Sequence, residues 1–162
     1  MQVANRPPLD SSVLHLLHRA GQVADDLFAK EIANSSLTPR QFAVLCVLAQ
    51  KQTASQTEIV EATGVDRSTL ADIVRRLVER GLLARKRSKI DARAYDVRLT
   101  AAGQSALKSA QPAVSRVEDR MLKMMPMMKR SEFVEALNHL VGSVSGRETP
   151  DEGPVRGRSK KF

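Results

Sequence analysis

Residues 55–100 constrain the fold of this chain more than any other part of its sequence. Ser55 and Glu58 form a capping-box pattern that opens a short predicted helix, and Gly64 is suited to end that helix in the left-handed conformation. A second helix is predicted over residues 67–80, because four aliphatic residues recur there at helical spacing: Leu70, Ile73, Val74 and Leu77. Two helices joined by a tight turn at a glycine predict a helix-turn-helix.

A basic hairpin is predicted directly after these two helices. Gly81 ends the second helix, and residues 83–88 and 94–100 then alternate in the manner of strands. Residues 85–98 carry six basic and two acidic side chains, a local net charge of +4, which is half of the +8 of the whole chain. Because such a hairpin suits phosphate oxygens, the sequence predicts a winged helix-turn-helix that binds DNA.

The composition limits the class of protein. The chain has 162 residues, the length of one domain or of one compact unit with an elaborated scaffold, and only 3% of them are aromatic, so we expect an aliphatic core. A single cysteine, Cys46, excludes an internal disulfide and a cysteine-based zinc cluster, and it favours a reducing, cytoplasmic setting. The first ten residues lack a signal-peptide core and no run approaches the roughly 18 apolar residues of a transmembrane helix, so no membrane partner is expected.

Two further helices are predicted ahead of the helix-turn-helix. Thr38 and Gln41 form a capping-box pattern that opens a helix over residues 39–49, and a short link that could pair as a strand follows this helix. Apolar periodicity predicts an earlier helix over residues 12–34. The first turns of that earlier helix are apolar on more than one face, which favours burial against a second chain: Val13, Leu14, Leu16 and Leu17.

Two helices are also predicted after the hairpin. The first covers residues 101–125 and contains Pro112, which predicts a kink. The second covers residues 131–144 and is predicted to bury five apolar side chains: Phe133, Val134, Leu137, Leu140 and Val141. Residues 1–9 are predicted to form a flexible arm and residues 147–162 a disordered basic tail.

Several stretches of the chain match one family of regulators. They lie at residues 37–45, 67–85 and 91–103, and the most specific of them is Asp91-x-Arg93 placed ahead of Val97-x-Leu99-Thr100. By these residues the chain resembles a MarR-type winged helix-turn-helix transcriptional regulator over residues 10–146.

The resemblance implies a fold and an assembly. The fold would be mainly α with a small β-wing, with a winged helix-turn-helix DNA-binding domain at residues 37–100. A helical dimerisation domain would consist of residues 10–36 and 101–146. The chain would form a homodimer that reads double-stranded DNA at a pseudo-palindromic operator. The implied function is that of a sequence-specific transcriptional regulator, and we expect a repressor.

The resemblance also assigns the residues that contact DNA. The helix over residues 67–80 would enter the major groove, and the tip of the wing would reach a neighbouring minor groove. The implied contacts are Ser68, Thr69, Arg75, Arg76, Arg85, Arg87, Lys89 and Arg93. Asp91 would form an ion pair with Arg93 and so stabilise the wing.

A small-molecule effector is implied in a crevice between the two domains, and phenolic or aromatic carboxylate compounds are the expected class. For an anion, the residues nearest that crevice would be His15, His18, Arg19 and Arg40. His15 and His18 share one helix face and could instead bind a metal, but no third ligand is apparent, so no metal is predicted. A methionine cluster could line the effector pocket or belong to the dimer core: Met121, Met124, Met125, Met127 and Met128.

Two side-chain roles have alternatives. Arg75 and Arg76 could pair with acidic residues of their own helix, Asp72 and Glu79, instead of contacting bases. Cys46 could be a redox sensor, although its apolar surroundings would raise the pKa of the thiol and reduce its reactivity.

Two other classes of function compete with DNA-binding regulation. A winged helix that serves only as a protein-interaction module would show no strong salt dependence of DNA binding. An enzyme would need a phosphate-binding loop, a nucleophile–base pair or a metal-ligand set, and the sequence contains none of these patterns. We therefore expect a protein that is not an enzyme and that needs no cofactor.

Overall fold

The computed structural model describes residues 8–32, 37–87 and 95–144. The helices are α1 (Val13–Glu31), α2 (Pro39–Lys51), α3 (Gln56–Thr63), α4 (Arg67–Glu79), α5 (Ala101–Lys123) and α6 (Arg130–Val144). The strands are β1 (Thr53–Ser55), β2 (Leu83–Arg87) and β3 (Tyr95–Leu99). Short 3₁₀ turns precede α1 and α6, at Leu9–Ser11 and Met127–Lys129. The chain divides into two compact units, one ending at Met124 and the other beginning at Met125. The predicted fold class, mainly α with a small β-wing, is confirmed.

The predicted capping boxes both form. The Thr38 hydroxyl accepts the Gln41 backbone N–H at 3.2 Å, and the Gln41 side chain accepts the Thr38 N–H at 3.2 Å. At the start of α3, the Ser55 hydroxyl accepts the Glu58 N–H at 3.2 Å, and the Glu58 carboxylate accepts the Ser55 N–H at 2.8 Å. Each cap satisfies N–H groups that a helix leaves without partners, which stabilises the helix by about 1 kcal/mol.

The turn between α3 and α4 has the geometry that its glycine predicts. Gly64 adopts φ 68°, ψ 6°, and its N–H donates to the Val60 carbonyl at 2.8 Å. Asp66 then caps α4, because its Oδ1 accepts the Thr69 N–H at 2.9 Å. Hydrogen bonds from Ser68 and then Thr69 hold the pKa of the Asp66 carboxyl well below its usual range.

The three strands form one antiparallel sheet in the order β1-β3-β2. The register places Thr53 and Ala84 on either side of Arg98, and Leu83 opposite Leu99. The short link after α2 is therefore a strand. Residues 88–94, the tip of the predicted wing, lie outside the described residues.

Aliphatic side chains fill the core of the first unit, as the composition predicts. The aliphatic face predicted for α4 is buried, with Leu70, Val74 and Leu77 at 0% exposure. The other fully buried side chains come from α2, α3 and the sheet: Val44, Leu45, Leu48, Ile59, Leu83 and Val97. The mutual burial of these residues orients the polar side of α4 outwards.

The start of α5 is held against the end of α4. The Thr100 hydroxyl donates to the Gly81 carbonyl at 2.7 Å and accepts the Gly103 N–H at 3.0 Å. Gly103 lies so close to the Leu82 backbone carbonyl that a Cβ at this position would overlap it. Glycine is therefore required here by close backbone approach and not by its dihedral angles. The helix then runs to Lys123 with Pro112 inside it.

One prediction about burial is wrong for the single chain. The last helix was expected to bury five apolar residues, but four of them are exposed and Leu137 is half-buried. The exposed residues are Phe133, Val134, Leu140 and Val141. The periodicity of the sequence identifies an apolar face correctly, but it does not say whether that face is covered by the same chain.

The first turns of α1 are also apolar and exposed. Leu14 is 69% exposed and Val13 68%, and Leu16 and Leu17 are also exposed. An exposed apolar surface of several large side chains in a row is typical of an interaction site. Within the described residues, no helix is long and apolar enough to cross a membrane.

Candidate nucleic-acid interface

The outward side of α4 carries the residues predicted to read DNA. Ser68, Arg75 and Arg76 are exposed, and Thr69 is half-buried near the start of the helix. Burial of the opposite, aliphatic side determines which way these residues face. The structure therefore brings all four predicted contacts of this helix to one accessible surface.

The first turn of α4 is already occupied by a carboxylate. The Ser68 hydroxyl donates to Asp66 Oδ1 at 2.6 Å, and the Thr69 N–H donates to the same atom at 2.9 Å. Because the Ser68 hydroxyl donates its proton to Asp66, the Ser68 oxygen can only accept a further hydrogen bond. That acceptor suits a base amino group better than a phosphate oxygen, which has no hydrogen to donate.

The two arginines of α4 form ion pairs along the helix. Arg75 contacts Asp72 at i−3 and Glu79 at i+4, where Nη1 and Oε1 are 2.8 Å apart. Arg76 Nε lies 2.7 Å from Asp72 Oδ2. The hydrogen bond from Arg75 lowers the pKa of Asp72, and bonds to Asp72 and Glu79 raise the pKa of Arg75. In the absence of DNA, Arg75 and Arg76 therefore form the intrahelical ion pairs that the sequence allowed as the alternative to base contacts.

The strand β2 presents cations that remain unpaired within the described residues. Arg85, Lys86 and Arg87 are exposed, and the structure pairs none of them with an acidic side chain of the described part of the chain. The remaining predicted wing residues, Lys89, Asp91 and Arg93, lie in the segment 88–94, outside the described residues.

A cavity of about 520 Å³ opens between α1, α2 and α4. Two cations and two carboxylates line it, namely Arg40, Arg76, Asp25 and Asp72. Phe28, Leu37, Pro39 and Ile73 supply most of the apolar lining. A pocket with an apolar lining and a few charged groups has the general character of a small-molecule site.

Of the four predicted effector residues, only Arg40 lines this cavity. His15, His18 and Arg19 lie earlier in α1, and the Arg19 guanidinium donates to Gln22 Oε1 at 2.9 Å. Arg19 precedes Asp25, the first cavity residue of α1, by about 9 Å along the helix axis. The structure therefore does not bring these three residues to Arg40 within one chain. Sequence reasoning also missed Asp25, Asp72 and Arg76 as cavity residues, since their meeting depends on how α1 and α4 cross α2.

The structure also describes the surroundings of Cys46, the candidate redox sensor, and of the residues that could bind a metal. Cys46 is half-buried, and burial, followed by the charge of Glu118, raises the pKa of its thiol above the ordinary value. A raised thiol pKa lowers the fraction of reactive thiolate. Among the described residues, no three His, Cys, Asp or Glu side chains are grouped closely enough to hold a metal ion.

Known proteins resemble this chain in sequence and in structure. The sequence model of the MarR family matches residues 37–95. The putative transcriptional regulatory protein for the hcr operon of Thauera aromatica is 30% identical over 156 residues, covering 88% of this chain and 93% of that protein.

Two solved structures extend the comparison. Bordetella bronchiseptica BpsR, whose DNA binding is regulated by 6-hydroxynicotinic acid, superposes with a TM-score of 0.80 at 29% identity, over 85% of this chain and 98% of that one. The transcriptional repressor CouR, bound to a 23-mer DNA duplex, superposes with a TM-score of 0.76 at 29% identity, over 87% of this chain and 98% of that one.

Fold, interface and relatives agree with one another. The helix-turn-helix and the three-stranded sheet form a winged helix in which the polar side of α4 is accessible. The matched family consists of transcriptional regulators, which are not enzymes. The extent of the similarity, over almost the whole length of the Thauera relative, shows that the chain belongs to the MarR family of transcriptional regulators.

Proposed function

We propose that this regulator is a homodimeric repressor that a small organic anion releases from a pseudo-palindromic operator. The observation that carries the proposal is the placement of Thr69 and Arg76. Both belong to the predicted DNA-contact set, and both also line the cavity between α1, α2 and α4. A ligand in that cavity would contact the same side chains that DNA requires.

On the DNA, α4 enters the major groove and the wing reaches a neighbouring minor groove. Arg75 and Arg76 reach bases by exchanging their partners Asp72 and Glu79 for DNA, at a cost of about 0–1 kcal/mol per exposed ion pair. Guanine O6 and N7 accept a bidentate arginine, which repays that cost. The remaining proposed contacts are Ser68 and Thr69 on the helix, and Arg85, Arg87, Lys89 and Arg93 on the wing, with Asp91 holding Arg93.

The winged helix-turn-helix at residues 37–100 serves as the DNA-reading domain, and residues 10–36 and 101–146 serve as the dimerisation domain. The exposed apolar faces of α1 and α6 support this division, because each is available to pair with a second chain. A two-fold dimer presents two copies of α4, so its operator has half-sites about one helical turn apart.

The effector acts by shifting a population and by competing for side chains. An anion bound between Arg40 and Arg76 draws Arg76 away from Asp72 and from DNA. The anion binds the arrangement without DNA more tightly than the DNA-bound one. The affinity for the operator falls by the ratio of those two ligand affinities. BpsR and its ligand 6-hydroxynicotinic acid support an aromatic carboxylate as the class of effector.

DNA binding is tested with an operator selected from a random duplex library. We expect the logarithm of affinity to fall linearly with the logarithm of salt concentration, and Arg85→Gln with Arg87→Gln to make the slope shallower by about 0.9 per lost phosphate contact. Lys30→Gln, an exposed lysine of α1, is the matched control and leaves the slope unchanged. No enriched duplex and no salt dependence would instead favour a protein-interaction module.

Effector release is tested with benzoate as the probe. Arg40 lies outside the DNA-contact set, so Arg40→Gln retains operator affinity while the benzoate concentration for half-release rises about tenfold or more, the loss of one charged hydrogen bond. His18→Gln is the comparison, and release that fails only in this variant would move the effector site to the first turns of α1. Release unchanged in both variants contradicts the proposed site.

A further inference from the structure

A second cavity, of about 600 Å³, lies on another side of the first unit. It opens between the end of α2, the strands β1 and β3, and the first half of α5. Its lining shares no residue with the cavity between α1, α2 and α4. A ligand in one cavity therefore does not touch the side chains that form the other.

The charge of this second cavity is entirely positive. Arg98 of β3 and Lys108 of α5 both line it, and no Asp or Glu does. Within the described part of the chain, neither cation forms an ion pair, whereas Arg75, Arg76, Arg116 and Arg120 all do. Two cations that face one concave surface without a counter-charge raise the local concentration of anions.

The rest of the lining can bind and orient an organic molecule. Gln52, Thr53, Gln104 and Gln111 provide amide and hydroxyl groups, which both donate and accept hydrogen bonds. Leu48, Ala49, Leu99 and Leu107 form the apolar part. Gln52 has a positive φ of 63°, which is uncommon for a residue other than glycine and tends to mark functional positions.

We propose that this cavity binds a small organic dianion, either a dicarboxylate or a phosphate monoester, that also carries a hydroxyl group. Two negative charges match the two cations, and a monoanion leaves one of them without a partner. The glutamine amides bind the hydroxyl, and the aliphatic side chains contact the carbon skeleton. The proposal concerns a site separate from the effector cavity and holds whether or not that cavity takes a ligand.

The site lies at the base of the wing. β3 is the central strand, and Arg98 is paired across the sheet with Thr53 on one side and Ala84 of β2 on the other. Leu99 is one of the close neighbours of Gly103, where α5 meets the Leu82 backbone. A bound dianion thus contacts the central strand β3 and the helix α5 that follows it.

The test measures binding to the full chain by calorimetry at constant ionic strength. The probes are malate, its monoanionic counterpart lactate, and glycerol 3-phosphate, so that the two sources of a dianion are compared directly. We expect malate or glycerol 3-phosphate to bind at least tenfold more tightly than lactate. Arg98→Gln and Lys108→Gln should each weaken that binding by about tenfold, while Lys123→Gln, an exposed lysine further along α5, leaves it unchanged.

A variant that keeps the charge unchanged tests the site independently, and its melting temperature shows whether the protein still folds. Ala49→Phe fills the cavity from an exposed position of α2 and should abolish binding while the melting temperature stays within a few degrees of the original. Equal binding of malate and lactate overturns the proposal, as does an equal loss in Lys123→Gln. Loss of dianion binding in Arg40→Gln, with Arg98→Gln unaffected, would place the ligand in the other cavity and also overturn it.

Discussion

Asp72 neutralises much of the positive charge on the polar side of α4. Its carboxylate contacts both Arg75 and Arg76, and Glu79 holds Arg75 from the other side. Four charged side chains of α4 thus cancel one another in the absence of DNA. In the proposed DNA complex, the two arginines contact DNA only when these exposed ion pairs open.

Replacing Asp72→Asn should strengthen DNA binding. The change removes one negative charge and two ion pairs, so affinity for an unrelated duplex should rise about two- to fivefold, the equivalent of about 0.5–1 kcal/mol. Fluorescence anisotropy at fixed salt measures it. Glu61→Gln on α3 removes the same charge from an exposed residue that has no ion pair within the described residues, and an equal gain in that control would attribute the effect to net charge alone.

Gly103 lies inside a helix, and the absence of a side chain there allows the Leu82 backbone to approach closely. A Cβ at this residue would overlap the Leu82 carbonyl oxygen, which belongs to the backbone and cannot rotate away. We expect Gly103→Ala to destabilise the protein by about 1–3 kcal/mol, measured by urea denaturation. Gly21→Ala is the control, because Gly21 is also helical but has open space around it, so helix propensity alone should make it neutral or slightly stabilising.

At the scale of elements, α4 and β2 differ in how their cations are paired. Arg75 and Arg76 of α4 are neutralised by acidic neighbours, whereas the three cations of β2 have no such partners in the described part of the chain: Arg85, Lys86 and Arg87. In the proposed DNA complex, long-range attraction would therefore come chiefly from β2, and discrimination between bases from α4.

Two elements distant in the sequence are joined through one carboxylate. Glu31, at the end of α1, accepts hydrogen bonds from Arg116 at 3.0 Å and Arg120 at 3.1 Å, both on α5. The Arg116 bond, followed by the Arg120 bond, lowers the pKa of Glu31 below its ordinary value of 4.5. Because the group binds its proton less readily when folded, it stabilises the fold above pH 4.5 and loses that contribution as the pH falls through the lowered pKa.

A comparison of pH dependence tests this link between α1 and α5. The free energy of unfolding of Glu31→Gln should be lower than that of the original chain at pH 6, and the difference should shrink as the pH falls below 4.5. Chemical denaturation at a series of pH values provides the measurement. Glu118→Gln, an exposed residue of α5 outside these ion pairs, should show no such convergence. A constant difference across the pH range would rule out the ion pairs as its origin.

At the scale of the whole molecule, uncovered apolar surface is the main feature of the single chain. The first turns of α1 and one face of α6 expose large aliphatic and aromatic side chains. This surface supports the proposed dimer, since burying one leucine stabilises an assembly by about 1.5–3 kcal/mol.

The proposed dimer should be sensitive to one charge in α1. Leu14→Glu loses this burial in both chains, about 3 kcal/mol or more per dimer, so the dissociation constant should rise by about 100-fold. Sedimentation velocity at low micromolar concentration should then show a monomer. Lys30→Glu, an exposed lysine of the same helix, is the control and should remain dimeric. A monomer for the unaltered chain would contradict the dimer itself.

The helices and strands of the winged helix-turn-helix were largely predictable, because the sequence patterns that specify them are local. Capping residues, glycine turns and apolar spacing operate over a few residues, so the bounds of α2, α3, α4 and the two hairpin strands were predicted to within about two residues. The position of Arg40 near a crevice was also predicted. The grouping of Arg40 with Asp25, Asp72 and Arg76 was not, because those residues meet only through the crossing of three helices.

The sequence by itself determined the order of the elements, the caps that begin them and the concentration of positive charge in the wing, since each of these depends on neighbouring residues. Only the tertiary structure decided the β1–β3 pairing, the close approach of Gly103 to Leu82 and the two separate cavities. Those features join residues far apart along the chain, and no local pattern specifies which distant backbone or side chain will meet them. It also showed that the apolar faces of α1 and α6 are exposed in one chain, which periodicity alone does not reveal.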